Sequence, residues 1–147
     1  MKILVGLGDS RFSSALLNTL LTQFRSENTE VRVVHVLQPI ATAALLEMAP
    51  TYAPELEELK EPARELVEHF ATDLRASGFK ADVAVEIGDV RERLLDIADN
   101  WHADLIVVGS HVQGGFSRFM LGSVAESVVR NANCSVQVVR TQTGVRG

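Results

Sequence analysis

Short apolar runs alternating with longer segments of helical spacing constrain this chain more than any other feature. The runs are Lys2–Leu7, Val31–Leu37, Ala81–Ile87, Asp104–Val108 and Ser135–Arg140. Between the first two, Phe12, Leu16, Leu20 and Phe24 fall on one helical line, with Leu17 and Leu21 beside it, and Asp9 or Ser10 is the expected N-cap. Glu55–Ala76 predicts a second helix with Leu59, Ala63, Leu66, Val67, Phe70 and Leu74 as its buried stripe. Pro62 must sit near its first turn or kink it, and Gly78 suits its C-terminal cap. Asp89 and Glu92 read as a capping box opening a third helix that buries Val90, Leu94, Ile97, Ala98 and Trp101. Ser123–Arg130 is a fourth helix, and the tail from Thr141 reads as polar and frayed. Strands alternating with helices demand right-handed crossovers, so the expected fold is a doubly wound α/β one: a five-stranded parallel sheet with helices on both faces.

A chain of 147 residues suits one domain, spanning 1–147. It is 46% hydrophobic and 22% charged, ordinary globular values. A net charge of −5 without a basic run argues against nucleic acid or an anionic membrane as partner. Cys134 is the single cysteine, which fits a reducing cytoplasm and a small packed residue. The chain enters its first strand at once, with no signal-peptide pattern, and no apolar run reaches the roughly 18 residues of a membrane span. Residues 38–60 form a long connection punctuated by Pro39, Pro50 and Pro54, with a short helical or lid-like piece expected over Ala41–Met48. The acidic residues Glu55, Glu57, Glu58 and Glu61 suit a solvated helix start.

The segment that carries chemistry is Gly109-Ser110-His111-Val112-Gln113-Gly114-Gly115, between the apolar run Leu105–Val108 and the helix that begins near Gly122-Ser123. A glycine turn lets backbone amides approach a ligand, and a helix start adds unpaired N–H groups and a positive dipole end, so this order suits a phosphate. Ser123-x-x-Glu126 also reads as a capping box. His111 is the histidine best placed for function; His35, between valines, reads as packed and hydrogen-bonded, and His69 and His102 as helix surface or helix end. Gly6-x-Gly8 is followed by Arg11 where a dinucleotide fingerprint requires glycine, and the lysine of a Walker loop is missing before Ser123. Ser110 and His111 are adjacent, but nothing marks a nucleophile with an oriented base.

These residues, in this order, resemble the universal stress protein family. The likeness rests on Lys2-Ile3-Leu4-Val5, Val33-Val34-His35-Val36, Gly88-Asp89, Ala103 to His111, Leu121 to Glu126 and Cys134-Ser135-Val136. The resemblance implies a five-stranded parallel sheet and a homodimer. In the family's ATP-binding branch it implies a G-x2-G-x9-G-[ST] loop holding the phosphates of ATP, with magnesium as companion ion. Carried onto this chain, the phosphate positions are Gly109, Val112, Gly122, Ser123 and Val124, and the base-side positions are Gly8, Val36 and Val108. Two positions depart from the pattern: Val112 stands where the loop has glycine, and the acid expected at position 8 is displaced to Asp9. A β-branched residue at positive φ is strained by about 1–3 kcal/mol, so the expected nucleotide affinity is low.

Three readings follow. The first is a cytoplasmic stress-response protein that binds ATP or a related adenine nucleotide, with hydrolysis slow or absent. The second is a dimeric interaction module that works without nucleotide. The third, ranked last because no general base or nucleophile stands out, is an adenine-nucleotide-dependent enzyme. In all three the last strand, with Val136, Val138 and Val139, is the expected dimer edge.

Overall fold

The computed structural model describes residues 1–8, 10–37, 53–110 and 121–141, with the side chains of 53–57 and 59 outside that description. Its elements run β1 (Lys2–Gly6), a single 3-10 turn (Ser10–Phe12), α1 (Ser13–Gln23), β2 (Glu30–Leu37), α2 (Ala53–Ala76), β3 (Lys80–Ile87), α3 (Val90–Trp101), β4 (Leu105–Gly109), α4 (Ser123–Asn131) and β5 (Ser135–Val139). All strand pairs are parallel, in the order β3-β2-β1-β4-β5. The chain builds outward from β1 to β3 on one side, then returns to build β4 and β5 on the other. The point of reversal lies between β1 and β4, where such sheets open a crevice beyond their carboxyl ends.

Alternation along each strand divides the core in two. Ile3, Val5, Val31, Val33, Leu105 and Val107 face one side, where Leu16 and Leu20 of α1 and Val67, Phe70, Ala71 and Leu74 of α2 cover them. Leu4, Val34, Val36, Ile106 and Val108 face the other, under Leu94 and Ala98 of α3 and Ala125 and Val128 of α4. Near-continuous apolar strands are what a sheet buried on both faces requires. At the amino end, Asp104 locks β1 to β4: its carboxylate accepts from the Lys2 amide at 2.7 Å, and its own amide donates to the Lys2 carbonyl at 2.8 Å.

Several expectations change. Neither Ser10 nor any other side chain caps α1: Phe12 occupies the N-cap, because the chain winds a 3-10 turn first; Asp9 lies outside the described residues. Leu21 is exposed rather than part of the α1 stripe. Pro62 sits well inside α2 rather than in its first turn, because the helix begins at Ala53. It removes one donor from the ladder there, while Ala63 and Val67 beyond it stay buried.

Gly78 does end α2: at φ 92° it allows Phe79 to donate to Leu74 and Gly78 to Arg75, a Schellman closure. The end of α3 repeats the motif with a side chain in the left-handed position, His102 at φ 61°. Trp101 is half-buried instead of largely buried. Its ring packs on the second core, with the Arg32 guanidinium 4.6 Å and the Lys2 ammonium 5.5 Å from its centroid. Thr141 is not frayed: it is 3% exposed and hydrogen-bonded. The helical or lid-like piece expected over 41–48 lies outside the described residues.

Candidate functional site

Strand register brings the predicted residues to one pole. Gly6 of β1 aligns with Val34 of β2 and Val108 of β4. Leu7 continues the pairing by donating to the Val34 carbonyl at 2.8 Å, which carries Gly8 to the level of Val36. Gly8 is exposed, and a Cβ built there would meet nothing within 4 Å among the described residues. Val36 and Val108 are buried in the second core, which leaves only their backbone groups for a ligand. His35 is packed as expected, its Nδ1 2.8 Å from the Leu7 carbonyl, pinning the end of β1 against β2.

Gly6 has a packing role. A Cβ there would lie 2.9 Å from Leu94 and 3.3 Å from Val108, so this glycine lets α3 approach the sheet and marks no cofactor turn. Gly109 closes β4 under a different crowd: a Cβ would lie 2.9 Å from Cγ2 of Thr141. Ser110 follows, buried, its amide donating to Val139 at 2.8 Å and its hydroxyl accepting from the Thr141 amide at 3.1 Å. The Ser110 oxygen is thus tied down as an acceptor. Val112 and His111, like Asp9, lie outside the described residues.

The start of α4 departs from expectation in an informative way. Ser123 was expected to cap the helix and Glu126 to close a capping box, but Gly122 takes the N-cap position, at φ −64° and ψ 160°, with no side-chain bond. Ser123 becomes the first helical residue, and Glu126 turns to Arg130, 3.1 Å away. The helix starts one residue earlier than the capping-box pattern implies, so the hydroxyl is past the point from which it can accept an orphan amide. Val124 packs on the second core.

The start of α3 is the opposite case. Asp89 accepts from the amides of Arg91 at 3.0 Å and Glu92 at 3.2 Å and pairs with the Arg91 guanidinium at 3.0 Å. The hydrogen bond from the Arg91 side chain, then that from the Glu92 amide, holds this carboxyl below the usual carboxylate range. The capping reading of Asp89 therefore stands; the reciprocal bond from Glu92 is not formed among the described residues. Burial pushes the Cys134 thiol up, helped by Asp99 and Asp104, as befits a packed cysteine.

Sequence reasoning missed Thr141, whose polar setting resembled a tail. It also missed Arg75, which donates to the Ala81 carbonyl from Nε at 3.0 Å and Nη2 at 2.8 Å. Nothing in a one-dimensional pattern signals either contact.

The fold and this pole define a doubly wound α/β protein with its strand-order reversal between β1 and β4 and, among the described residues, no side-chain cap at the start of α4. The chain belongs to the universal stress protein family, whose profile matches residues 1–140. Universal stress protein Sll1388 of Synechocystis is 27% identical over 95% of this chain and 97% of its own length. Universal stress protein G of Escherichia coli O157:H7 is 31% identical over 75% of this chain and 77% of its own. Among solved structures, the protein MJ0577 superposes with a TM-score of 0.82 at 27% identity, covering 97% of each chain. A universal stress protein from Archaeoglobus fulgidus in complex with dAMP superposes with a TM-score of 0.66 at 23% identity, over 95% of this chain and 97% of that one. Another universal stress protein, solved in complex with cAMP, gives 0.68 at 19% identity, over 97% and 98%. Among the described residues no helix is long and apolar enough to cross a membrane.

Proposed function

We propose that this protein binds an adenine nucleotide, ATP or a relative, in the crevice between β1 and β4, with its phosphates toward the start of α4. The observation that carries the reading is Gly122 as N-cap: no side chain of the helix takes its first amides, and Ser123 and Val124 present them beside the end of β4. Gly109 and the loop residues His111 and Val112 complete the phosphate side, and magnesium would accompany a triphosphate. Backbone groups of Val36 and Val108 hold the base, and Gly8 with Asp9 lies toward the ribose. The residues fit the group in one testable respect: among the described residues nothing lies within 4 Å of a Cβ at Gly8. Structural relatives in complex with dAMP and cAMP support the ligand class.

Val112 in place of glycine weakens the complex, and the displaced acid leaves the ribose side incomplete. The protein acts as a cytoplasmic nucleotide-responsive homodimer paired through β5, with hydrolysis slow or absent. Native mass spectrometry of the purified protein, followed by calorimetric titration with AMP, cAMP and ATP, tests this. A co-purifying adenine nucleotide, or saturable binding of any of the three, is expected. The departures at Val112 and Asp9 favour a second reading, a nucleotide-independent dimeric interaction module. Failure of all three ligands with an intact dimer puts that reading first.

A further inference from the structure

The chain leaving β5 crosses over the end of β4 and fastens there. β5 ends at Val139 and Arg140 is exposed, yet the next residue, Thr141, is 3% exposed. Its amide donates to the Ser110 hydroxyl at 3.1 Å, while the Ser110 amide donates to the Val139 carbonyl at 2.8 Å. Ser110 is therefore held through both its backbone and its side chain by the same two-residue stretch. The Thr141 side chain lies over Gly109, with Cγ2 at 2.9 Å and Oγ1 at 3.3 Å from where a Cβ would stand. Its hydroxyl is buried without a hydrogen-bond partner among the described residues, so the threonine is not held there by its own polar satisfaction. Gly109 has no positive φ, so its lack of a side chain serves this close approach and not an unusual turn.

We infer that Ser110 and Thr141 form a positioning clasp that sets the direction in which the chain leaves Gly109, and so holds the phosphate side of the nucleotide site in register with the start of α4. Neither residue touches the ligand; both act through the backbone of Gly109 and Ser110. The inference rests on the adenine-nucleotide reading, and it places the residues after β5, which a pattern search dismisses as tail, within the site's support. It also separates two halves of a ligand. The base side is built on β1, β2 and Val108 of β4, and Val108 is held by its own sheet pairing to Gly6 and Val138 whether or not the clasp is closed, so disturbing the clasp should be felt by a phosphate far more than by a nucleoside.

The experiment uses the full chain with Ser110→Ala, Thr141→Pro, the double variant and Ser110→Thr, titrated with AMP and with adenosine, while amide exchange at Thr141 is followed by NMR. Ser110→Ala should weaken AMP about tenfold, leave adenosine within about twofold, and speed exchange at the Thr141 amide. Thr141→Pro deletes the donor of the same bond, so the double variant should lose no more than either single one. Ser110→Thr keeps the acceptor and should restore AMP binding. An unchanged ratio of AMP to adenosine affinity in Ser110→Ala, or additive losses in the double variant, overturns the clasp. A wild-type chain that binds neither ligand sinks the nucleotide reading, and this inference with it.

Discussion

The two halves of the sheet, on either side of the β1/β4 reversal, are finished differently. In the first half, among the described residues, the sheet edge is charged and the helix start is capped. The β3 edge carries Lys80, Asp82 and Glu86; Asp82 pairs with Arg32 at 3.0 Å and Glu86 with Arg93 at 2.7 Å. Arg75 folds over the strand and occupies the Ala81 carbonyl. The helix on that side, α3, has its first amides filled by Asp89. In the second half, among the described residues, the edge carries no charge and the helix N-cap makes no side-chain bond. β5 reads Ser-Val-Gln-Val-Val without a charge, and α4 starts at an uncapped Gly122. Charge and side-chain bonds on an edge prevent pairing with another chain, whereas an apolar edge invites it. A filled helix start repels an anion, and an empty one attracts it. The difference locates self-pairing and the phosphate side of the proposed nucleotide site in the same half of the molecule.

The largest effect should follow from making the β5 edge like the β3 edge. Val138→Asp places a charge on a strand that is expected to close against its own copy. Desolvating an unpaired carboxylate there costs several kcal/mol, enough to weaken the dimer by about a hundredfold or more. Sedimentation or light scattering at micromolar concentration should find dimer for the wild type and monomer or aggregate for the variant. A stable wild-type monomer would show that the apolar edge needs no partner and break the comparison.

Next in size is Val112→Gly. On the family's loop path a β-branched residue at this position is strained by about 1–3 kcal/mol, so glycine there should tighten ATP or AMP binding roughly ten- to a hundredfold by calorimetry. Adding Gly8→Asp with Asp9→Gly should gain more, since among the described residues nothing lies within 4 Å of a Cβ at Gly8. Tight wild-type binding that Val112→Gly leaves unaltered would mean that the loop has found another register.

The fold was legible because its signals are redundant. The central strands β1 and β4 are apolar on both faces, and the helix stripes at Leu16 and Leu20, or Leu94 and Ala98, match the core positions they fill. Of the candidate site, the sequence was enough to place Gly8, Val36, Val108 and Gly109 at one end of the sheet, because strand register alone does so. It misled at Ser123, because a capping box and a serine one residue inside the helix read alike until the turn before them is known. It was silent at Thr141 and Arg75, whose partners are 31 and 6 residues away in the chain and follow no period.

A smaller effect should come from giving α4 the finish of α3. Gly122 has extended backbone angles that any residue adopts, so Gly122→Asp can cap the helix without strain. The cap should raise stability by a few tenths of a kcal/mol, seen as a slightly higher melting midpoint. The same carboxylate would occupy the amides offered to a phosphate and repel it, so AMP affinity should fall about tenfold while adenosine is spared. A variant that gains stability and keeps AMP affinity would detach the helix start from the ligand.

The smallest effect tests the filled half. The carboxyl of Asp89 is held below its ordinary range first by the Arg91 side chain and then by the Glu92 amide. A carboxyl whose folded value is depressed stabilises the fold above its unfolded value, about pH 3.9, and loses that contribution as pH falls through the lower, folded value. Asp89→Asn keeps a side-chain oxygen for the helix amides but gives up the charge. Its melting midpoint should therefore lie slightly below wild type at neutral pH, with the gap closing on acidification into and below the usual carboxylate range. AMP affinity should be untouched, because the amides of this helix start are taken by the side chain at position 89 and are not offered to a phosphate. Thermal melts of the two proteins from neutral to acid pH, paired with one titration at neutral pH, check both statements. A gap that stays constant with pH would mean that the Asp89 charge does not stabilise α3, and a loss of AMP binding would place this helix start at the ligand after all.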